Sequence, residues 1–182
     1  MDDATKRNAI VDDIDGFLSE AGEKVRSLSF ELASATLYRL GLREALEELC
    51  GTMNERYNTQ FSITEGDPLE NLDESTATAL LKAARELLFN VVRHAGSPKA
   101  RASLVQGRDC LLLTVEDSGQ GFPSQGDDGQ PYVGQGLGLF SIEERLRELG
   151  GDMQIQSTPG EGARVTLRVP MGKRQTSEEA DA

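Results

Sequence analysis

The sequence predicts an α+β domain preceded by a long amphipathic helix. Three observations carry that expectation. Apolar residues recur every three or four positions in four stretches, short apolar or alternating runs lie beside turn-forming residues, and two glycine clusters interrupt the second half of the chain. The 182 residues suit one domain with an attached element, and 37% hydrophobic content is enough for a packed core. Acidic residues outnumber basic ones by 31 to 19, and the formal charge of −12 opposes general attraction to nucleic acid or to an anionic membrane surface. No run approaches the roughly 20 apolar residues that span a bilayer. The first residues also lack the basic and apolar regions of a signal peptide, so a cytoplasmic chain with no nucleic-acid or membrane contact is expected.

The elements follow in order. Ile10, Ile14, Phe17, Ala21, Val25, Leu28 and Leu32 mark one stripe of a helix over about residues 4–33, weakened at Gly16 and Gly22. A lone stripe of this kind needs a partner, either another copy of itself or a helix absent here, so a homodimer of the full-length protein is expected, with packing back onto the globular domain as the alternative. Ala33-Ser34-Ala35-Thr36 reads as a break, and Leu42, Ala45, Leu46, Leu49 and Met53 then mark a second helix. A short strand around Gln60 to Thr64 and an acidic loop come next. Asp73-Glu74-Ser75 supplies capping chemistry for a third helix through Ala79, Leu80, Ala83, Leu87, Leu88 and Val91. Strands at 100–106 and 110–116 flank a hairpin turn at Gly107-Arg108-Asp109. Residues 123–133 lose all periodicity and read as a mobile surface loop. A last helix over about 139–149 stops at Gly150-Gly151, followed by strands at 153–157 and 164–169 around Thr158-Pro159-Gly160-Glu161-Gly162. The residues from Met171 onward read as a disordered tail.

Two cysteines, Cys50 and Cys110, each lie inside an apolar pattern and read as buried thiols. With one histidine besides, they cannot furnish a zinc centre, so any metal should be a hard ion held by oxygen.

On the third helix Glu86, Asn90 and Arg93 are spaced four and three apart and project from nearly one face. Asn90 offers a neutral oxygen suited to Mg²⁺, an ion that keeps several waters and bridges substrate phosphates. Glu86 is placed to hold such a water or to act as a base. Asp117 ends an apolar strand, where a fixed carboxylate can accept from the exocyclic amine of adenine. The cluster Asp117-Ser118-Gly119-Gln120-Gly121 and the run Gly134-Gln135-Gly136-Leu137-Gly138-Leu139 leave backbone N–H groups bare, and the second precedes a helix, making an anion site. A dinucleotide fingerprint needs a strand directly before the glycines and a different spacing, and a P-loop needs Gly-Lys-Ser/Thr; neither occurs.

Taken together, Glu86-Leu87-Leu88-Phe89-Asn90-Val91-Val92-Arg93-His94-Ala95, Asp117-Ser118-Gly119-Gln120-Gly121-Phe122 and the second glycine run resemble the N box and the two glycine boxes of the GHKL ATPases. Within them the match is to the catalytic ATP-binding domain of bacterial two-component sensor histidine kinases, over about residues 40–170. The resemblance implies a two-layer α/β sandwich, the Bergerat ATP-binding fold, with ATP between the N-box helix and a lid at 123–133. It implies that Asp117 binds adenine, Asn90 coordinates Mg²⁺, and Glu86 orients or deprotonates a water or acceptor. Arg93 and His94 would lie near the phosphates. Gly119, Gly121, Gly134, Gly136, Leu137 and Gly138 would complete the nucleotide site. Where many relatives carry Thr after the turn glycine, this chain has Ala163, which removes a hydroxyl contact near adenine.

Residues 25–32 and 37–46 resemble the second helix of a dimerisation and phosphotransfer hairpin and its junction, giving a division into 1–36, 37–170 and 171–182. His94, the only histidine, falls in the nucleotide site, so the phosphoacceptor histidine helix is expected outside this chain, with a response regulator as the next partner. This chain should then bind ATP without phosphorylating itself. A GHKL serine kinase acting on a partner protein and a non-catalytic nucleotide-binding module are the alternatives.

Overall fold

A computed structural model describes residues 34–64, 69, 71–123 and 137–171. The helix expected over 4–33, most of the acidic loop, the lid at 124–133, Gly134, Gly136 and the tail beyond Met171 lie outside the described residues.

Residues 34–40 are helical, and the break expected at 33–36 falls at Gly41, whose φ of +107° is open to a residue without a Cβ. Helix α1 (Leu42–Tyr57) follows and ends on Asn58 in the left-handed region. Strand β1 (Gln60–Ile63) leads into α2 (Glu74–Asn90), where the Asp73 carboxylate accepts from the Thr76 N–H at 2.9 Å. The Thr76 hydroxyl, together with that N–H, holds the Asp73 carboxyl below its ordinary range. The helix continues into a five-residue π-turn, Val91–Ala95, closed by Gly96 at φ +65°. Then come β2 (Lys99–Gln106), β3 (Cys110–Asp117), α3 (Leu137–Glu148), β4 (Asp152–Thr158) and β5 (Gly162–Pro170).

The five strands form one sheet in the order β1-β2-β3-β5-β4, with β1 parallel to β2 and every other pair antiparallel. Parallel neighbours need a crossover, and α2 supplies it. Ala100, Ala102, Leu104, Leu111, Leu113, Val115, Val165, Leu167 and Val169 alternate along their strands onto the face the helices cover. Leu46, Leu49, Met53, Leu80, Leu81 and Leu88 meet them there, each fully buried and each stabilising by about 1.5–3 kcal/mol. On the other face Glu116 takes Arg164 at 2.6 Å and Arg101 at 3.8 Å, and Asp152 takes Arg168 at 3.2 Å. These exposed pairs add little stability. Helices on one side and ion pairs on the other make this a two-layer sandwich.

At the free edge of β1 the Asn54 amide accepts from the Phe61 N–H at 2.6 Å and donates to the Phe61 carbonyl at 2.8 Å. Both outward backbone groups of Phe61 are thereby satisfied.

Cys50 is buried, and burial pushes its thiol up to about 12; Cys110 is half-buried on the outer face of β3. Thiolate, not thiol, is the nucleophile. Iodoacetamide at pH 8 is therefore expected to leave Cys50 unmodified in the native chain and to label it after unfolding, as peptide mass mapping would show.

Candidate functional site

The site is built where α2, the end of β3 and the start of β5 meet. One cavity of about 370 Å³ is lined by Asn90 and His94 from the α2 side, by Asp117, Gly121 and Ala163 from the strands, and by Gly138 from α3. Leu87, Val91, Val115, Leu139 and Val165 give it an apolar wall. Apolar surface with a few convergent polar groups, at this volume, is the usual character of a small-molecule site.

Asp117 faces Ala163 across the ladder, at the last pair between β3 and β5. Its Oδ1 accepts from the Gly119 N–H at 2.8 Å. Burial raises the carboxyl above its ordinary value, and the N–H groups of Gly119 and Ala163 only partly offset that. The outcome is a half-buried acceptor with one oxygen fixed by the backbone. Ala163 stands in the same wall with no hydroxyl.

The chain from Asp117 to Phe122 runs as a strap between the π-turn and the β4–β5 turn. Gln120 N–H donates to the Ala95 carbonyl at 2.7 Å, and the Gln120 side chain donates to the His94 carbonyl at 2.5 Å. Gly160 N–H donates to the Gln120 carbonyl at 2.6 Å, and Phe122 N–H to Ser157 Oγ at 2.9 Å. A Cβ on Gly119 would collide with the Ala95 backbone, one on Gly121 with the Thr158 and Gly162 carbonyls, and one on Gly162 with the Asp117 carbonyl. The close approach that Gly119 and Gly121 permit is thus to other backbone.

Of the row on α2, Asn90 lines the cavity. Glu86 borders it: the space a Cβ of Gly138 would fill is held by the Glu86 carboxylate, which also faces a second cavity of about 330 Å³ between α2 and α3. Arg93 turns elsewhere, its guanidinium carbon 5.9 Å from the centre of the Phe89 ring, which packs edge-on to Tyr57 at 5.5 Å. Leu137 opens α3, while Gly134 and Gly136 lie outside the described residues. Gln120, which the sequence did not single out, both lines the cavity and ties its walls. Its position between two glycines is the only signal of this in the sequence.

Residues 75–173 match the family of histidine kinase-, DNA gyrase B- and HSP90-like ATPases. The chain belongs to this family. ATP is accordingly the ligand class of this domain. Among curated relatives, the chain is 31% identical over 158 residues to the oxygen sensor histidine kinase NreB of Staphylococcus carnosus, covering 87% of this chain and 44% of that protein. It is 33% identical over 168 residues to the sensor histidine kinase MctS of Rhizobium johnstonii, covering 91% and 35%. The chain thus spans less than half the length of these relatives. Among solved structures, the ATPase resembles the histidine kinase domain of the Erythrobacter litoralis EL346 blue-light activated histidine kinase, with TM-score 0.65, 20% identity, and coverage of 90% of this chain and 84% of that one. The ATP binding domain of PrrB from Mycobacterium tuberculosis gives TM-score 0.57 at 23% identity, covering 70% and 92%. These likenesses establish the fold. No helix among the described residues is long and apolar enough to cross a membrane.

Proposed function

We propose that this chain is the ATP-binding catalytic portion of a cytoplasmic sensor histidine kinase region. It donates the γ-phosphate of ATP to a histidine carried outside the chain, from which a response regulator is phosphorylated. The observation that carries the reading is the convergence of Asp117, Asn90 and His94 on one cavity of the ATPase. Its relatives, named as sensor histidine kinases, favour this acceptor over a serine on a partner protein. In this reading residues 1–36 belong to a dimerising hairpin, 37–170 form the catalytic domain and 171–182 a tail.

The donor set suits Mg²⁺ in a nucleotide complex. Among the described residues no group of three or more His, Cys, Asp or Glu side chains could cage an ion, so the amide oxygen of Asn90 would be joined by phosphate oxygens and water. Bound there, Mg²⁺ supplies neutralisation of the charge on the transferring phosphoryl group. The chain's own residues do the rest by position. Asp117 holds the base, the apolar wall excludes water around it, and His94 flanks Asn90 on the phosphate side. Glu86, at the border beside Gly138, is placed to orient the acceptor. The first helical N–H groups of α3, which begins at Leu137, would offer an anion site to the phosphates. Arg93, stacked on Phe89, supports the helix end from behind.

ADP titrated calorimetrically into the chain should bind far more tightly with Mg²⁺ than with EDTA. Asn90→Ala should lose that difference, weakening binding in Mg²⁺ by about tenfold while leaving the EDTA value in place. A wild-type affinity indifferent to Mg²⁺ would refute the role of Asn90. Transfer is tested by adding labelled ATP and a separate fragment bearing the relatives' histidine helix; label is expected on that fragment alone.

A further inference from the structure

We propose that Gln120 is a positioning residue of the nucleotide site, its side-chain amide capping the π-turn so that the wall carrying Asn90 is held in register with the wall carrying Asp117. The inference rests on the nucleotide reading of the cavity. The last carbonyls of a helical segment have no partner within it. Here the carbonyls of His94 and Ala95, the final two residues of the π-turn, are both taken by residue 120, one by its side-chain Nε2 at 2.5 Å and one by its backbone N–H at 2.7 Å. The same residue's carbonyl accepts from the Gly160 N–H at 2.6 Å, which anchors it to the β4–β5 turn. Asp117 lies three residues upstream, locked to the intervening Gly119 at 2.8 Å. The path from the metal side of the cavity to the base side is therefore two residues of strap and two hydrogen bonds long.

The backbone bond to Ala95 is open to any residue at this position. The bond to His94 requires a side-chain donor, because the group it meets is an acceptor. Shape and donor capacity can be separated: Gln120→Glu keeps the shape and presents an acceptor to an acceptor, whereas Gln120→Lys changes the shape and keeps a donor of sufficient reach. A residue that tunes the distance between two walls affects a ligand spanning both and spares a ligand touching one.

The experiment compares MgADP, whose phosphates and metal reach Asn90 while its base meets Asp117, with adenosine, which carries no phosphate or metal to Asn90, on the whole chain with folding checked by circular dichroism. Gln120→Ala and Gln120→Glu should each weaken MgADP by about fivefold and leave adenosine unchanged, and Gln120→Lys should bind both as the wild type does. MgADP affinity unaffected by Gln120→Glu would overturn the proposal. So would Gln120→Lys losing as much as Gln120→Ala, or adenosine weakening in step with MgADP, which would mark Gln120 as a support of the base wall only. A wild-type chain that binds neither ligand refutes the nucleotide reading itself, a result distinct from these.

Discussion

Asp117→Asn is expected to weaken ADP binding by about a hundredfold and, at pH 7, to melt at a higher temperature than the wild type. The affinity loss follows from the hydrogen bond already fixed within the strap. Because Gly119 N–H holds one carboxylate oxygen at 2.8 Å, an asparagine keeps its oxygen there and turns its NH₂ toward the cavity. A donor then meets the donor that the adenine amine presents, and the acceptor that paired with it is lost. Stability moves the other way. Burial raises the Asp117 carboxyl above its unfolded value, so the folded chain holds the proton more tightly than the unfolded one. The stability from this group is fully present below the unfolded carboxylate range, and it is lost as pH rises through the raised folded value. As pH rises past that value the folded chain bears the cost of a charged, half-buried carboxylate, which a neutral amide removes. Melting curves at pH 4 and pH 7 should show the variant's advantage at pH 7 shrinking toward pH 4. A variant that melts below the wild type at pH 7 would contradict the burial argument.

Gly121→Ala is expected to destabilise the fold by about 3 kcal/mol or more. Two costs combine at this position. Its φ of +59° is left-handed, and its Cβ would point into the carbonyl oxygens of Thr158 and Gly162, which the β4–β5 turn cannot withdraw without breaking its pairing. Gly160 separates the two. It has φ +86° with open space where a Cβ would go, so Gly160→Ala carries the backbone cost alone, about 1 kcal/mol. Urea denaturation of the two variants should give that ordering. Equal losses would mean that the strap relaxes around the added methyl and that Gly121 is required by its dihedral only.

The parts of the fold that depend on side-chain pattern are legible in the amino-acid sequence. The apolar run at 110–116, its hairpin partner at 100–106 and the alternation at 164–169 mark three strands within a residue or two, and Asp73 announces the start of α2 because a cap is a local, side-chain event. That Asn90, His94 and Asp117 meet at one cavity is legible because each sits at an element end, where position is nearly fixed by the chain. Backbone detail is not carried by pattern. Apolar spacing reads which face is buried, and an α-turn and a π-turn bury the same residues, so the widening at Val91–Ala95 leaves no mark. The same limit affects the row on α2. Spacing puts Arg93 beside Asn90, and the ring of Phe89 claims it. Small residues at 33–36 suggest a break there, whereas the chain turns at Gly41, the one nearby position needing positive φ. Gly138 has the pattern of a residue that frees backbone for a ligand; its missing Cβ makes room for Glu86.

The clasp of Asn54 on Phe61 bears on how copies of this chain meet in concentrated solution. A sheet recruits a stray strand through unpaired backbone at its rim. With one rim closed by a side chain that imitates a neighbouring strand, the exposed flank of β4 is left as the place among the described strands where cross-chain ladder growth can start. Measures against aggregation belong there, as a proline or an added charge on the outward side of residues 152–158.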